Sequence, residues 1–365
     1  MRISRPKAAL SVYDLTLDEL SAWMRERGFP AFRAKQLYDG LYRQLAASYD
    51  DIPVLPKALR ERLAEDLPIA AMVPVNEVAT PNRDTVKTLY ETATHDLVET
   101  VLMVYRDRAT VCVSCQVGCA VGCAFCATGL MGLQRNLTTG QMVAQVVGAA
   151  RSARAMGRPL TNLVMMGMGE PFHNYPATMK FLGILNDPAG MGMGARRMTI
   201  STSGVVPFIE KLAEEPLQVN LAISLHAPNQ QLRESLVPIA RKHPLDELLE
   251  AVDSYTEKTH RRISFEYALM SGINDADEIA LELAELMRGR LVHLNVIPFN
   301  KVDVLEFERP TTEGIDRFAE LAGSLGTPVT VRYSRGLDIS AACGQLRSKV
   351  EAGRRAGEQA SSVAS

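Results

Sequence analysis

Apolar positions change their spacing near residue 85, and this change divides the chain into two parts. Before it, apolar residues recur at helical spacing in TLDELSAWMRERG, AFRAKQLYDGLYRQL and PKALRERLAEDL. The first segment begins with Thr16, has Glu19 three residues later and ends at Gly28, as a capped helix does. Residues 1–84 are therefore predicted to form a small helical accessory domain.

From Thr85 the pattern is that of strands joined by turns, and further on apolar strands alternate with amphipathic helices. Five such strands follow the cysteine-rich segment: LTNLVMMGMG, RRMTISTSG, QVNLAISLHA, RRISFEYALMSG and LVHLNVIPFN. With the strand before that segment, they predict six β/α units, a parallel sheet covered by helices.

Six units are fewer than the eight of a complete barrel, so the predicted fold is α/β, a partial (β/α)6 TIM-like barrel. The barrel is placed at residues 85–345, with a β extension at its N-terminal end. A last strand, TPVTVRYSR, leads to Cys343. The small, polar residues 346–365 are predicted to be a disordered tail.

Composition favours an ordinary soluble protein. The 365 residues are 47% hydrophobic and 22% charged, with a net charge of -2, so RNA could be contacted only through local basic patches. The N-terminus has no apolar signal-peptide core, and no apolar run reaches the length of a membrane span. We therefore expect a cytoplasmic protein without membrane contact, in which clustered cysteines indicate metal or redox chemistry.

Five of the six cysteines lie in CVSCQVGCAVGCAFC, and three of them form a C-x3-C-x2-C pattern: Cys119, Cys123 and Cys126. On a helix this spacing would make one buried stripe. Gly118 and Gly122 disfavour a helix and suit a wound loop on which three thiolates converge. Structural zinc requires four protein ligands, whereas an iron–sulfur cluster held by three thiolates keeps one iron open.

Glycine and polar residues lie at the C-terminal ends of the predicted strands. MMGMGEP carries Gly167, Gly169 and Glu170, while TISTSG, ISLHAP and VIPFN carry Ser201, Ser224, His226 and Asn300. Each residue alone could cap a loop or satisfy a local hydrogen bond. Together they are expected at the C-terminal rim of the barrel, where such folds place their chemistry.

The cysteine pattern at the start of a β/α array resembles the radical S-adenosylmethionine (SAM) superfamily. A wider set of segments resembles its RlmN/Cfr family of RNA methyltransferases: ETVLM, RATVCVSCQVGCAVGCAFCATG, RNLTTGQ, MMGMGEPFHNY, STSGVVP, LAISLHAPN, VPIARKHPLDELL and AACGQL. The resemblance runs from AFRAKQLY to AACGQL, about nine-tenths of the chain.

The resemblance implies a role for each matching residue. Cys119, Cys123 and Cys126 would hold a [4Fe-4S] cluster, and SAM would be used twice per turnover, as methyl donor and as radical source. The SAM-binding positions would be Gly169, Glu170, Ser201, Ser224, His226 and Asn300.

The catalytic positions carried over by the resemblance are Cys343, Cys112 and Glu99. Cys343 would become S-methylcysteine, and its methylene radical would add to C2 of adenine, a carbon too electron-poor for ordinary methyl transfer. Cys112 would release the RNA through a transient disulfide with Cys343, and Glu99 would accept a proton. Taken alone, both cysteines would simply be buried, unless the C-terminal strand folds back and brings them together.

The implied product is 2-methyladenosine in 23S rRNA, at the peptidyl-transferase centre, and in tRNA. A Cfr-like enzyme acting on C8 of the same rRNA adenine and a non-enzymatic, metal-stabilised RNA-binding module are the alternatives. The implied electron donor is a flavodoxin or ferredoxin, and we expect a monomer.

Two features stay open. Basic residues of the N-terminal segment fit a solvated helix face as well as RNA contact. Candidate phosphate contacts elsewhere are Arg106, Arg108, Arg135, Arg196, Arg197, Arg241 and Lys242. Cys115 stands where the family has serine; we interpret it as a bystander, although it also forms a local C-x2-C pair with Cys112 that would suit zinc or redox chemistry.

Overall fold

The computed structural model describes residues 10–301, 305–336, 339–341 and 345. Cys343 and the predicted tail at 346–365 lie outside these residues. The helices are α1 Leu17–Glu26, α2 Phe32–Asp39, α3 Lys57–Asp66, α4 Thr139–Ala155, α5 Tyr175–Asn186, α6 Val206–Ala213, α7 Gln230–Leu236, α8 Leu245–Thr259, α9 Asp277–Met287 and α10 Thr312–Gly323. The strands are β1 Met72–Ala79, β2 Thr85–Thr92, β3 Leu97–Val104, β4 Ala109–Cys112, β5 Gln116–Gly118, β6 Leu133–Asn136, β7 Leu160–Met165, β8 Met198–Thr202, β9 Asn220–Ser224, β10 Ile263–Leu269, β11 Val292–Pro298 and β12 Val329–Val331.

One ten-stranded sheet organises the molecule, in the order β1-β2-β3-β4-β7-β8-β9-β10-β11-β12. The first four strands pair antiparallel and form the β extension. Within this sheet, every pairing from β4 to β12 is parallel. At least one helix lies between each strand of this parallel part and the next. The predicted α/β fold, a partial barrel of six β/α units with an N-terminal helical region, is confirmed.

The N-terminal helical region is fixed against the barrel. Helix α1 begins with the predicted cap, in which the Thr16 hydroxyl accepts from the Glu19 amide at 3.2 Å and the Glu19 carboxylate accepts from the Thr16 amide at 2.8 Å. The buried Asp14 carboxylate accepts from the Gly140 amide at the start of α4 at 2.6 Å. Several basic side chains of this region form ion pairs: Arg27, Arg43, Lys57, Arg60 and Arg62.

Strand β1 is a difference from the sequence-based expectation, which extended helical structure to residue 84. Val73, Val75 and Val78 are exposed, so β1 has no alternation of buried and exposed positions to reveal it. Pro74 adjoins a register shift, a position that an edge strand tolerates because its outer amide groups have no ladder partner. Helix α10 was also not predicted, and it completes the sixth β/α unit.

The cysteine-rich segment lies on a two-stranded hairpin, β5–β6, inserted between β4 and α4. The hairpin stands at the C-terminal ends of the parallel strands, and the core lies between the strands and the outer helices. Within the described residues, no helix has the length and apolar character needed to cross a bilayer.

Candidate active site

The loop that carries Cys119, Cys123 and Cys126 connects β5 to β6 as a series of turns. Gly118 closes the hairpin with φ +73°, and a side chain there would place its Cβ 1.8 Å from the Gly132 carbonyl oxygen. The Cys119 amide donates to that same oxygen at 3.1 Å, and the Cys126 amide donates to the Cys123 carbonyl at 3.2 Å. The predicted loop, rather than a helix, is confirmed, and glycine is the residue that its closure requires.

Apolar side chains surround the three thiols. Val121, Phe125, Leu236, Met270 and Phe299 belong to one buried cluster against which the half-buried cysteines pack. This burial raises the pKa of Cys119 to about 12, and it also raises the pKa of the Cys123 thiol, to which the nearby Cys126 and Cys119 contribute further. The loop therefore holds three mutually interacting thiols in a dry environment that favours ligation by a cation over free thiolates.

Arg233 tests whether these residues fit an iron–sulfur cluster. Its side chain is fully buried, and Nη2 donates to the Ser203 carbonyl at 2.7 Å. Among the described residues, Nε and Nη1 have no hydrogen-bond partner, although the guanidinium is close enough to Cys123 to interact with its charge. A buried cation without a counter-charge is unfavourable, and a cluster ligated by three thiolates supplies negative charge at this place.

The geometry of the donors is unlike that of a zinc knuckle. Across the described part of the chain, no three His, Cys, Asp or Glu side chains converge tightly enough to hold a single metal ion. A four-iron cluster is larger than one ion, and its thiolates ligate separate corners. Three thiols on one loop are the ligand set of such a cluster with one iron left open.

A cavity of about 990 Å³, measured with the solvent at its mouth, opens at the C-terminal ends of the barrel strands. We call it the barrel cavity. Its lining includes every residue that the sequence assigned to the cluster or to SAM: Cys119, Cys123, Cys126, Gly169, Glu170, Ser201, Ser224, His226 and Asn300. The structure therefore brings all nine residues to one site.

Glu170 is held rigidly at the edge of this cavity. One carboxylate oxygen accepts from the Phe172 amide at 3.0 Å, and the other accepts from both the amide and the hydroxyl of Ser203 at 2.7 Å. The Glu170 amide donates to the Gln116 side chain at 2.8 Å. These contacts tie the end of β7 to the cysteine hairpin and to the end of β8.

Replacing Gly169 with alanine is expected to destabilise this junction. Gly169 has φ +106°, and a Cβ there would lie 2.8 Å from the Gln116 backbone nitrogen, which cannot move aside as a flexible side chain could. The free energy of unfolding should fall by about 3 kcal/mol, as measured by urea denaturation. Gly183→Ala on α5 is the matched control, since a Cβ there meets no atom within 4 Å; an equal loss in both variants would contradict this account.

His226 is a neutral side chain in the wall of the cavity. Its Nδ1 accepts from the Ala268 amide at 2.9 Å, and the Phe125 ring meets it edge-on at 4.6 Å between centroids. Burial, with the charge of Arg233, lowers the pKa of His226 to about 3. The proton of the neutral ring is therefore on Nε2, which makes this nitrogen a hydrogen-bond donor.

Cys112 lines a second cavity, of about 740 Å³, which we call the Cys112 cavity. Its strand neighbours Val101 and Val164 line the same space. Met166 and Ile297 line both cavities, so the Cys112 cavity adjoins the barrel cavity at these two residues.

The C-terminal segment reaches the Cys112 cavity through Ala341, which contributes to its lining. Lys87 connects this segment to Glu99: its Nζ lies 3.3 Å from a Glu99 carboxylate oxygen and donates to the Ser340 carbonyl at 3.1 Å. Glu99 itself is buried and does not belong to the described lining of either cavity. Its assignment as proton acceptor stays a prediction.

Cys115 is buried and separate from both cavities in the described structure. Its amide donates to the Met168 carbonyl at 2.8 Å, and its carbonyl accepts from the Leu137 amide and the Asn174 side chain at 3.0 Å. Its backbone therefore connects the hairpin to the β7 loop, while its thiol forms no disulfide among the described residues.

A Cys115→Ser variant is expected to retain its iron and its activity within about twofold, because serine preserves the backbone contacts. Burying a hydroxyl in place of the thiol should lower stability by about 1 kcal/mol. Iron content and turnover of anaerobically reconstituted protein, with urea denaturation for stability, provide the measurement. Loss of iron would show that Cys115, rather than the C-x3-C-x2-C set alone, is a ligand.

Sequence reasoning missed three residues of the site. Ser203 lies two positions beyond Ser201, and only the structure shows that it bonds Glu170. Glu266 lines the barrel cavity from the middle of β10. A carboxylate within the otherwise apolar strand of RRISFEYALMSG could have indicated a functional position. The sequence did not indicate that Arg233 would be buried at the site, because arginine is common on short helices at the protein surface.

Two family models match the chain. The model of the radical SAM superfamily matches residues 113–284, and the model of the ribosomal RNA large subunit methyltransferase N-terminal domain matches residues 10–69. The first match contains the cysteine loop and most of the barrel cavity, and the second contains helices α1 to α3.

Similar proteins span nearly the whole chain. A probable dual-specificity RNA methyltransferase RlmN of Bacillus cytotoxicus is 45% identical over 339 residues, 93% of each chain. One of Chloroflexus aurantiacus is 46% identical over 346 residues, 92% of each chain. The crystal structure of a radical SAM methyltransferase from Sphaerobacter thermophilus superposes with a TM-score of 0.92 at 58% identity, covering 93% of this chain and 99% of the other.

Proposed function

The chain belongs to the RlmN family of radical SAM RNA methyltransferases, and on that premise we propose that it forms 2-methyladenosine in 23S rRNA and tRNA. The rRNA target is the adenosine of the peptidyl-transferase centre. Membership in this family makes the protein a SAM-dependent RNA methyltransferase and implies SAM and a [4Fe-4S] cluster as its cofactors. The family identified from the sequence is thereby confirmed.

The observation that carries the proposal is the pair of adjoining cavities. Residues assigned to the cluster and SAM line the barrel cavity, and Cys112 lines the neighbouring cavity, which shares Met166 and Ile297 with it. When bound, the cluster and SAM together supply a hydrogen-abstracting carbon radical. The chain holds them at the rim with three thiolates, the fixed Glu170 loop and the Nε2–H donor of His226.

The Cys112 cavity is proposed to receive the methyl-carrying Cys343. In the sequence Cys343 follows two positions after Ala341, which lines this cavity. Cys343 would carry the methyl group from a first SAM, with a second SAM used as radical source. Carbon–carbon bond formation at adenine C2 would give a radical adduct. Loss of the C2 proton and of one electron, which the oxidised cluster would take back, would then leave the RNA attached to the Cys343 sulfur through a methylene group.

Release requires that this carbon–sulfur bond break. The Cys112 thiolate would attack the Cys343 sulfur, forming a disulfide, while the released methylene carbon takes up a proton and becomes the methyl group. Glu99 is proposed to accept the proton lost from adenine C2. Lys87, which contacts both Glu99 and the Ser340 carbonyl, would hold that carboxylate charged beside the C-terminal segment.

Mass spectrometry of nucleosides tests the proposal. Anaerobic, reconstituted protein with about four irons per chain is incubated with SAM, a reductant and unmodified 23S rRNA or tRNA. We expect 2-methyladenosine together with 5′-deoxyadenosine. Formation of 8-methyladenosine would show the Cfr-like alternative, and a zinc protein that leaves RNA unmodified would show the non-enzymatic one. A flavodoxin or ferredoxin donor, a monomeric state and a cytoplasmic location stay predictions.

A further inference from the structure

Arginine and tyrosine side chains surround the mouth of the Cys112 cavity. They come from two segments, residues 105–108 after β3 and residues 332–335 after β12. Two guanidinium groups lie over the Tyr105 ring, Arg108 at 4.3 Å and Arg335 at 4.5 Å from its centroid. The two segments are thereby connected across the mouth.

Tyr333 differs from Tyr105 because its ring is largely open to solvent. Its side chain is 55% exposed although it lines the cavity, and Arg309 lies 5.8 Å from its centroid. A single exposed ring is ordinary on a protein surface. This ring, however, also lines the cavity, so a base that enters the cavity or lies beside it would meet the exposed face.

The mouth is also positively charged. Five exposed arginines belong to this region. Arg332 and Arg335 line the cavity, Arg108 and Arg309 contact its two tyrosines, and Arg106 lies in the same segment as Arg108. Arg335 pairs with Asp84 at 3.0 Å, Arg108 contacts Asp107 at 3.4 Å, and Arg332 is 3.9 Å from Glu266. These carboxylates offset part of the charge and leave an excess of positive charge on a chain whose net charge is -2.

Exposed aromatic rings among arginines are the chemistry that binds single-stranded RNA, through base stacking and phosphate contacts. We propose that this surface, built on Tyr333 and the five arginines, docks the nucleotides that flank the target adenosine. Tyr333 stacks on a neighbouring base, Arg309 and Arg335 contact phosphates, and the target base enters the Cys112 cavity. The inference rests on the proposed function, because it takes RNA as the substrate.

The docking surface lies where the nucleotides beside the target base would need support. A base that reacts at C2 must leave its own stack, and the nucleotides beside it then lose stacking partners. A ring fixed at the cavity mouth replaces part of that stacking. The ion pair of Arg335 with Asp84 holds the C-terminal segment against the β extension. Arg335 therefore both positions this segment and contributes positive charge to the mouth.

Fluorescence anisotropy with a labelled, unmodified RNA stem-loop that has an adenosine in its loop tests this inference on the full, cluster-loaded chain. Tyr333→Ala should raise the dissociation constant about tenfold, whereas Tyr333→Phe, which keeps the ring, should stay within about twofold of the wild type. Arg309→Gln should weaken binding and reduce the slope of log affinity against log salt by about 0.7, the loss of one phosphate contact.

Arg288→Gln provides the matched control, since this exposed arginine lies outside the described lining of both cavities. Its RNA affinity should equal that of the wild type. RNA-independent formation of 5′-deoxyadenosine should be the same in all variants, which verifies that cluster and fold are intact. Unchanged affinity and salt dependence in both Tyr333→Ala and Arg309→Gln would overturn the docking surface.

The outcomes separate this inference from the proposed function. If wild-type protein forms 2-methyladenosine while both variants bind RNA normally, the function stands and the surface is wrong. If the variants lose affinity but wild-type protein leaves the RNA unmodified, the surface stands and the function is wrong.

Discussion

A Cys112→Ala variant is expected to accumulate RNA covalently attached to its C-terminal segment. Without the Cys112 thiolate, the carbon–sulfur bond at Cys343 has no nucleophile to break it, so the reaction stops at the adduct. Release of methylated RNA should fall by about a thousandfold or more. Denaturing gel electrophoresis followed by mass spectrometry of the digested band would identify both the adduct and its site of attachment.

The structure supports Cys112 for this role over its neighbour. Cys112 lines a cavity that also contains Ala341, whereas Cys115 is enclosed between the hairpin and the β7 loop. Cys115→Ser is therefore the matched control and should give no adduct. Continued release of methylated RNA by Cys112→Ala, at a rate near that of the wild type, would refute the resolving role.

Cys343→Ala is expected to abolish methyl transfer and leave the cluster intact. The variant removes the sulfur that would carry the methyl group and leaves the three cysteines of the C-x3-C-x2-C loop unchanged. Iron content and the visible absorption spectrum should match the wild type, while 2-methyladenosine should fall below about a thousandth of the wild-type yield.

Cys123→Ala provides the opposite control for that experiment. It removes one thiol of the cysteine loop and should lose iron and SAM cleavage together. A Cys343→Ala protein that still methylates RNA would show that no methyl-carrying cysteine is required at this position. A Cys343→Ala protein that loses its iron would instead place Cys343 among the ligands.

The barrel and its rim could be predicted from the sequence because both depend on local patterns. Apolar strands with amphipathic helices between them specify parallel pairing, and parallel pairing brings the C-terminal ends of the strands to one side. Ser201, Ser224, His226 and Asn300 were therefore expected together, and they line one cavity. Gly118 and Gly122 likewise distinguished a cysteine loop from a helix.

Other features depend on contacts that no local pattern encodes. Strand β1 lies at the sheet edge with most side chains exposed, so neither helical nor alternating periodicity reveals it. The partnership of Glu170 with Ser203 joins the ends of different strands. The stacking of Arg108 and Arg335 on Tyr105 joins segments more than two hundred residues apart, which only the closed fold brings together.

The buried guanidinium of Arg233 couples the stability of the fold to its metal content. The cluster-free chain must bury a cation whose Nε and Nη1 groups have no hydrogen-bond partner among the described residues. Ligation of iron by the neighbouring thiolates introduces negative charge, and any ligand that binds only the folded chain stabilises it by mass action. We therefore expect iron-loaded protein to unfold at a higher urea concentration, and to resist proteolysis longer, than the same chain without iron.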